Sequence, residues 1–419
     1  MTHISNTSAL ATSPARTDAL AITEAAYEAI DTDRVVRSKL RVEGDMLYAG
    51  DRGYELAAFS RVRVVGFGKA SCKAVQAVEA VLHTRVTDGI AIDVHGGVCD
   101  IVQMAQGTHP RPSPQNVVAT ERIVNMAKDT KESDLVIMAV SGGGSSLLCW
   151  PMDECEQGSR FFDDASRVGM QIGDMNVIRR HISQVKGGAL AAMFHPATVI
   201  ALVFCDVPGD HFEDVASGPT YFDETTIEDA QKILDRYELT GYSLTETPKD
   251  RSLFEHVQNI PMVSNTAALE AMRVKATQLG YKVVDVGSAR YDEPKKLAAD
   301  MIAALGEKTA VIAGGEVSLK VTKKGGHGGR CQYIGLEALK LIGEHDLYLP
   351  FASDGIDNCD AAGVIADSQT LTRAKEQGLS LEESLESFDT YAFFEKTGDL
   401  IMTGPTEANV SDLYLALRN

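Results

Sequence analysis

A two-domain α/β protein is the fold class this sequence predicts, with a doubly wound, mostly parallel, Rossmann-like sheet in the N-terminal domain. The C-terminal domain should be a smaller α/β unit with a mixed sheet. Three observations lead there. Through Cys205, apolar runs of strand length alternate with amphipathic helical segments, the order that builds a parallel sheet flanked by helices. Those runs end in glycine and charged punctuation, as loops at the carboxyl ends of parallel strands do when they form a site. At 419 residues the chain is also too long for a single hydrophobic core.

The elements follow in order. Thr17 to Asp31 reads as a helix with Ala19, Ile22, Ala26 and Ile30 on one face and Thr17 as its N-cap. Arg61 to Gly66 is a strand that turns through Gly66-Phe67-Gly68-Lys69 into a helix with Ala74, Val75, Val78 and Val81 inward. Gly89 to Val94 is the next strand, Gln115 to Lys128 a helix, and Leu135 opens a strand of buried type. Asp174 to Phe194 reads as one long helix, and Thr198 to Cys205 as a strand. The polar, turn-rich stretch from Thr240 to Asp250 marks a boundary, giving domains 1–245 and 246–419. Beyond it come a helix from Asn265 to Leu279 stopped by Gly280, and a helix from Arg330 to Ile342. Strands are expected at Tyr281–Val286, Thr309–Ala313, Ser318–Thr322 and Leu347–Ala352, with a hairpin among them. The C-terminal tail is a candidate to pack back on the first domain.

Composition narrows the function. A net charge of −19 with no basic arm or stripe argues against nucleic acid or an anionic membrane as partner, and no segment reads as a membrane span. An anionic substrate would therefore need a locally positive site. Seven cysteines without a CxxC pair read as reduced, cytoplasmic and not zinc-binding. The Ser/Thr-rich start lacks the apolar core of a signal peptide.

The Leu135 strand runs into Ser141-Gly142-Gly143-Gly144-Ser145, a triple-glycine turn whose bare N–H groups suit a phosphate. Gly66-Phe67-Gly68-Lys69 supplies two glycines of the dinucleotide fingerprint, with Asp88 near the ribose-acid spacing and Ser71 where the third glycine belongs. Its more informative residue is Lys69, a cation in the turn itself. From Asp174 to Ala189, Ile178, Ile182, Val185 and Ala189 make an apolar stripe. Asn176, Arg179, Ser183 and Lys186 make a polar one without acids, read as lining a cleft. Asp206-Val-Pro-Gly-Asp210 ends a strand, where a carboxylate can take a hydroxyl proton or hold Mg²⁺. Gly314-Gly315-Glu316 ends another. The run Gly325 to Gly329, broken by His327, opens a helix with Arg330 at its mouth, a second phosphate cradle. Asp354 and Asp357 make a candidate acidic metal loop. Two cradles, two cations and strand-end acids fit phosphoryl transfer, which needs positioning, charge neutralisation and a base.

At these residues the chain resembles the class II glycerate kinases, the glycerate 2-kinase family with a C-terminal MOFRL domain. The shared motifs run in one order from Gly66-Phe-Gly-Lys-Ala70 through Gly107-Thr-His-Pro110, Ser141 to Ser145, Asn176…Lys186-Gly-Gly188, Asp206 to Asp210, Ser217-Gly-Pro-Thr220, Gly314-Gly-Glu316, Gly328-Gly-Arg330 and Asp354-Gly-Ile-Asp357 to Thr403-Gly-Pro-Thr406. The resemblance implies ATP-dependent phosphorylation of D-glycerate to 2-phosphoglycerate, with Mg²⁺, in a cleft between two α/β domains. It implies Lys69, Asp206 and Arg330 as catalytic residues, and His109, Arg179 or Lys186 as holders of the substrate. Nucleotide and phosphate contacts would come from Gly66, Gly68, Ser141, Gly142, Gly143, Gly144, Ser145, Gly315, Glu316, Gly328 and Gly329, and metal contacts from Asp206 and Asp354. Two departures, Cys331-Gln332-Tyr333 and Asn358-Cys359, stand where the family has Asn-Gln-Glu and Gly-Pro, and leave a related four-carbon acid open as substrate. The competing readings are an NAD(P)-dependent hydroxypyruvate reductase, supported by Gly66, Gly68 and Asp88, and a non-catalytic sugar-acid sensor.

Overall fold

A computed structural model describes residues 2–206, 209–322 and 326–419. Val207 and Pro208 of the Asp206 motif, and Gly325 of the second glycine run, lie outside the described residues. The chain forms two compact units: Thr32–Val207 with His211–Met262, and Val263–Asn419 with the first 31 residues and the Gly209-Asp210 pair.

The first unit is built on a six-stranded sheet in the order Gln103–Gln106, Asp88–Asp93, Arg61–Phe67, Asp134–Val140, Thr198–Phe204, Val257–Val263. The first five strands run parallel. The Arg61, Asp134 and Thr198 strands are buried along nearly their whole length, which is why they read as continuous apolar runs. From Arg61–Phe67 the chain winds outward through Asp88–Asp93 to Gln103–Gln106. It then returns to place Asp134–Val140 on the other side of Arg61–Phe67. The winding direction therefore reverses between these two strands, and their carboxyl ends, Phe67 and Val140, lie side by side in register. In open α/β sheets such a switch point is where ligands bind.

One expected element breaks. The helix predicted from Asp174 to Phe194 ends at His181 and resumes only at Ala189. The break has a local cause: Ser183 Oγ accepts from the Val185 and Lys186 N–H groups (3.1 and 3.2 Å), and Gly187 and Gly188 are both left-handed at φ 54° and 81°. Among the elements without a clear sequence signal are a meander at Leu40–Glu43, Met46–Ala49 and Arg52–Glu55, the helices Met152–Val168 and Ile227–Arg236, and the two edge strands Gln103–Gln106 and Val257–Val263.

The second unit carries a mixed sheet in the order Lys282–Asp285, Thr309–Gly315, Asp412–Arg418, Asp346–Ala352, Gly363–Val364, Leu400–Ile401. The tail strand is part of this unit's own sheet and packs on the helix Pro14–Ile30. Asp412–Arg418 inserts antiparallel between the Thr309 and Asp346 strands, where its apolar side chains are buried. No strand forms at Ser318–Thr322, and the hairpin is absent there. Ser318 instead gives its N–H to Asp292 O (3.0 Å) and its hydroxyl to Tyr291 O (3.0 Å). The opening helix runs Pro14–Ile30 and is capped by Ser13, not Thr17, with Pro14 at its first position. It belongs to this second unit, where it packs on the helix Asn265–Gln278. Its Arg16, 1% exposed, is held by Asp367 at 2.6 Å and Asp399 at 2.8 Å.

Candidate active site

The switch point of the first unit is drawn tight by glycine. Lys69 N donates to Gly142 O (2.9 Å), Ser141 N to Phe67 O (3.1 Å) and Ala70 N to Ser141 Oγ (3.2 Å), zipping the Lys69 turn to the triple-glycine turn. Gly68, at φ 123°, has no room for a side chain, since a Cβ there would lie 2.1 Å from Ser141 Oγ. A Cβ on Gly142 would lie 1.9 Å from Asp206 Oδ2, so this glycine exists to let the Asp206 carboxylate reach the loop. A Cβ on Gly143 would lie 3.1 Å from both His109 Cδ2 and Lys69 Cγ. Lys69, His109 and Asp206 are thus gathered around two consecutive glycines.

Beside this point is a pocket of about 180 Å³, lined among others by His109, Gly143, Ser145, Glu154, Asn176, Arg179, Lys186, Asp206 and Asp214. The volume suits a molecule smaller than the drug-sized ligands of ~300–1,000 Å³ cavities. Three of the four polar-stripe residues, Asn176, Arg179 and Lys186, line it, although the helix that was to present them is interrupted. Phe162, Ile172 and Ile182 make its apolar wall.

The electrostatics favour an anion. Arg179 forms no ion pair or hydrogen bond among the described residues, and burial alone lowers its pKa to about 10, which keeps it charged at neutral pH. His109 is pushed down to about 4, first by burial and then by the charges of Lys69 and Arg179. Its imidazole is therefore neutral at pH 7. Lys186 has a different situation: its ammonium is bound by Glu154 and by Leu148 O (2.7 Å). Asp214 is paired with Arg180 at 2.5 Å.

Several residues that frame the pocket escaped the sequence reading. Asn116 pins the Thr108-His109 turn to the glycine loop, accepting from Thr108 N (2.9 Å) and donating to Thr108 O (2.9 Å) and Ser146 O (2.7 Å). Ser217 joins Ser145 Oγ (3.0 Å) to Asn176 Oδ1 (3.1 Å). Ala216, Ser217 and Gly218 are three successive left-handed residues, at φ 53°, 61° and 65°. The first two are strained positions for residues bearing a Cβ, which surrounding contacts must enforce. Here Gly187 N and Gly188 N donate to Ser217 O and Gly218 O. The Ser217-Gly-Pro-Thr220 motif was the available signal. Glu154 and Asn116 had none.

Other sequence-predicted residues take different roles. Gly66 packs, because a Cβ there would meet Val75 Cγ1 at 2.7 Å. The helix Ser71–Leu82 that follows Lys69 has its start filled from within: Asp93 accepts from Cys72 N (3.0 Å) and Ser71 Oγ (3.2 Å). A dinucleotide pyrophosphate would need that position. Asp88 stands at the amino end of the neighbouring strand, away from the carboxyl ends where the Gly66 turn lies, in a two-point pair with Arg63 (2.9 and 2.7 Å). It cannot serve a ribose at the Gly66 turn.

The second unit holds the remaining candidates. The Gly328-Gly329-Arg330 turn also has an internal anion, since Asp357 accepts from Cys331 N (3.0 Å) and Gln332 N (2.8 Å) at the start of the helix Arg330–Leu339. Gly329 has no room for a Cβ, which would lie 2.1 Å from Asp357 O. Gly315 likewise makes way for Arg290, its Cβ falling 2.1 Å from Arg290 O. Arg330 is held by Glu316 and by Asp412 (3.1 Å). Burial raises Asp412 to about 7 and Asp357 to about 6, against the lowering effect of Arg330 on both. Asp354 turns back on Ile356 N (3.0 Å). The departure residues are packed there too: Gln332 Nε2 donates to Cys359 Sγ (2.9 Å), and Tyr333 stacks on Phe388 at 5.6 Å.

No group of three metal-ligating side chains exists among the described residues. A Mg²⁺ carried in with nucleotide needs only one or two carboxylates, the rest of its shell being phosphate and water. Asp206 fits that sparse requirement.

Comparison with known proteins places these features. A family model described as a domain of unknown function (DUF4147) matches residues 18–247, and the MOFRL family model matches residues 309–412. A glycerate 2-kinase of Pyrococcus horikoshii is 31% identical, with 94% of each chain covered. A putative hydroxypyruvate reductase of Agrobacterium vitis is 32% identical over 85% of this chain and 99% of the relative. The crystal structure of a glycerate kinase from Thermotoga maritima superposes with a TM-score of 0.83 at 29% identity, covering 96% of this chain and 99% of that one.

Proposed function

Since this chain belongs to the glycerate 2-kinase family, with a DUF4147 region followed by a MOFRL region, we propose that it transfers the γ-phosphoryl group of ATP to the C2 hydroxyl of D-glycerate, giving 2-phosphoglycerate. That the enzyme is a glycerate kinase follows from the family; the donor and the position phosphorylated are the proposal. One observation carries it. Two cations, a neutral imidazole and a carboxylate converge on a glycine loop at the switch point of the sheet.

The roles follow from the contacts. Arg179, with a guanidinium matched to a carboxylate and no partner among the described residues, holds the substrate's carboxylate. His109, neutral at pH 7, accepts from or donates to a substrate hydroxyl. Asp206 orients the C2 hydroxyl and takes its proton as the new P–O bond forms. Lys69 offsets the charge on the transferring phosphoryl. The Ser141–Ser145 turn cradles phosphate through its amides. Arg330, released from Glu316, would be a second cation for the phosphoryl group. A divalent ion, when bound, would neutralise nucleotide phosphate charge, and Asp206 would be its protein ligand.

The reductase reading has lost its two supports, because Asp93 fills the helix start and Asp88 is committed to Arg63. The deciding experiment measures ADP release with D-glycerate beside NADH oxidation with hydroxypyruvate, and identifies the product by phosphorus NMR. ADP release with a 2-phosphoglycerate signal is expected. A 3-phosphoglycerate signal refutes the regiochemistry, and hydride transfer without phosphorylation refutes the kinase.

A further inference from the structure

We propose that Glu154 is a positioning residue that withholds Lys186 from the substrate, leaving Arg179 as the cation of the polar stripe that faces the bound acid. This rests on the reading that the pocket takes a small sugar acid. Glu154 and Lys186 both line that pocket, yet each is only 3% exposed and the two are paired directly. The remaining bonds are what fix the arrangement. Lys186 Nζ also donates to Leu148 O (2.7 Å), while Glu154 Oε2 accepts from Ser183 Oγ (2.7 Å) and Trp150 N (3.2 Å). Both carboxylate oxygens are therefore used. The same carboxylate ties the chain after the glycine loop to the break in the polar-stripe helix, through Ser183.

A buried pair of this kind confers little attraction on a third charge, because each member cancels the other. Arg179, by contrast, forms no ion pair with any described residue. Two neighbouring cations of one stripe thus differ in availability, and the difference is set by a single glutamate in the first turn of the helix Met152–Val168. The chemical consequence is placement. A carboxylate held by Arg179 alone has one anchor; a freed Lys186 would offer a competing one and draw the acid away from Lys69 and Asp206.

The test titrates D-glycerate into the full-length enzyme by calorimetry, with kinetics in parallel. Glu154→Gln keeps the side chain's shape and its acceptor for Ser183 but removes the charge. Expected is a fall in the glycerate Kd of about threefold or more together with a fall in kcat, because an unbalanced buried ammonium seeks an anion. Adding Lys186→Met to that variant should bring the Kd back toward the wild-type value. A weakened Kd in Glu154→Gln, unrelieved by the second change, would overturn the proposal, since that is what a purely structural role gives. A second measurement needs neither a folded variant nor the substrate: acetic anhydride labelling of the wild-type enzyme read by mass spectrometry. Lys186 should label far more slowly than Lys232, which is 72% exposed. Equal labelling in the wild type overturns the proposal. Absence of glycerate binding in a wild type with protected Lys186 would instead refute the substrate reading.

Discussion

Replacing Arg179 by methionine tests the carboxylate anchor most directly. The guanidinium is desolvated by a pocket wall that includes Phe162, Ile172 and Ile182, lacks any protein partner among the described residues, and has its pKa drawn down to about 10. Hydrogen bonds to a charged group contribute about 1.5–3 kcal/mol. At ~1.4 kcal/mol per tenfold, losing that contact should weaken D-glycerate binding about 10- to 150-fold. The carboxylate stands on the carbon next to C2 but keeps its charge unchanged through the transfer, so its anchor acts about equally in ground and transition states, and the loss should appear in KM more than in kcat. Arg179→Lys keeps charge without the planar fork and should fall between. The same methionine should raise the melting temperature of the unliganded enzyme, because it removes a desolvated cation that no described residue pairs with. The assays are coupled ADP release against glycerate concentration and thermal denaturation. A KM within a factor of about two of wild type would refute the anchor, since even the weakest charged hydrogen bond predicts more.

Three further outcomes are expected. Lys69→Ala should lower kcat by about 10²- to 10³-fold, the usual effect of removing one group that stabilises transition-state charge, with an unchanged circular dichroism spectrum; near-normal kcat removes it from the mechanism. Gly142→Ala should lower kcat while leaving glycerate binding nearly intact, because the new methyl falls 1.9 Å from Asp206 Oδ2 and must displace that carboxylate; unchanged turnover would mean Asp206 need not sit against the loop. His109 should make stability depend on pH. Its folded pKa, about 4, lies below its ordinary 6.5, so the unfolded chain binds the proton first and stability from this group falls as pH drops from 6.5 toward 4. The full difference corresponds to at most about 3 kcal/mol, less for a partly exposed ring. Urea denaturation of wild type and His109→Gln across that range should show a steeper decline in the wild type; parallel curves would refute it.

Much of this protein could be read from its residues in order. Continuous apolar runs at Arg61, Leu135 and Thr198 gave buried parallel strands, since a strand covered on both faces needs no alternation. The Ser141–Ser145 glycines marked a close approach because only a residue without Cβ permits one. The polar stripe Asn176, Arg179, Lys186 was legible as pocket-facing because it lacked acids. What a linear pattern could not contain was which anion fills which helix start. Asp93, at the end of its strand, and Asp357 reach the starts of the helices Ser71–Leu82 and Arg330–Leu339 from segments distant in sequence, so two glycine turns that look alike in sequence serve packing and self-capping, while the third lines the pocket. Nor could periodicity reveal that Ser183 would turn its hydroxyl onto its own backbone and end a helix, or that Glu154 would neutralise one cation of the stripe and leave its neighbour bare. Spacing along the chain determined which chemical groups were present and on which strands they ended. Pairing across the fold, through charges and hydrogen bonds between segments far apart in sequence, decided which of those groups remain available to bind.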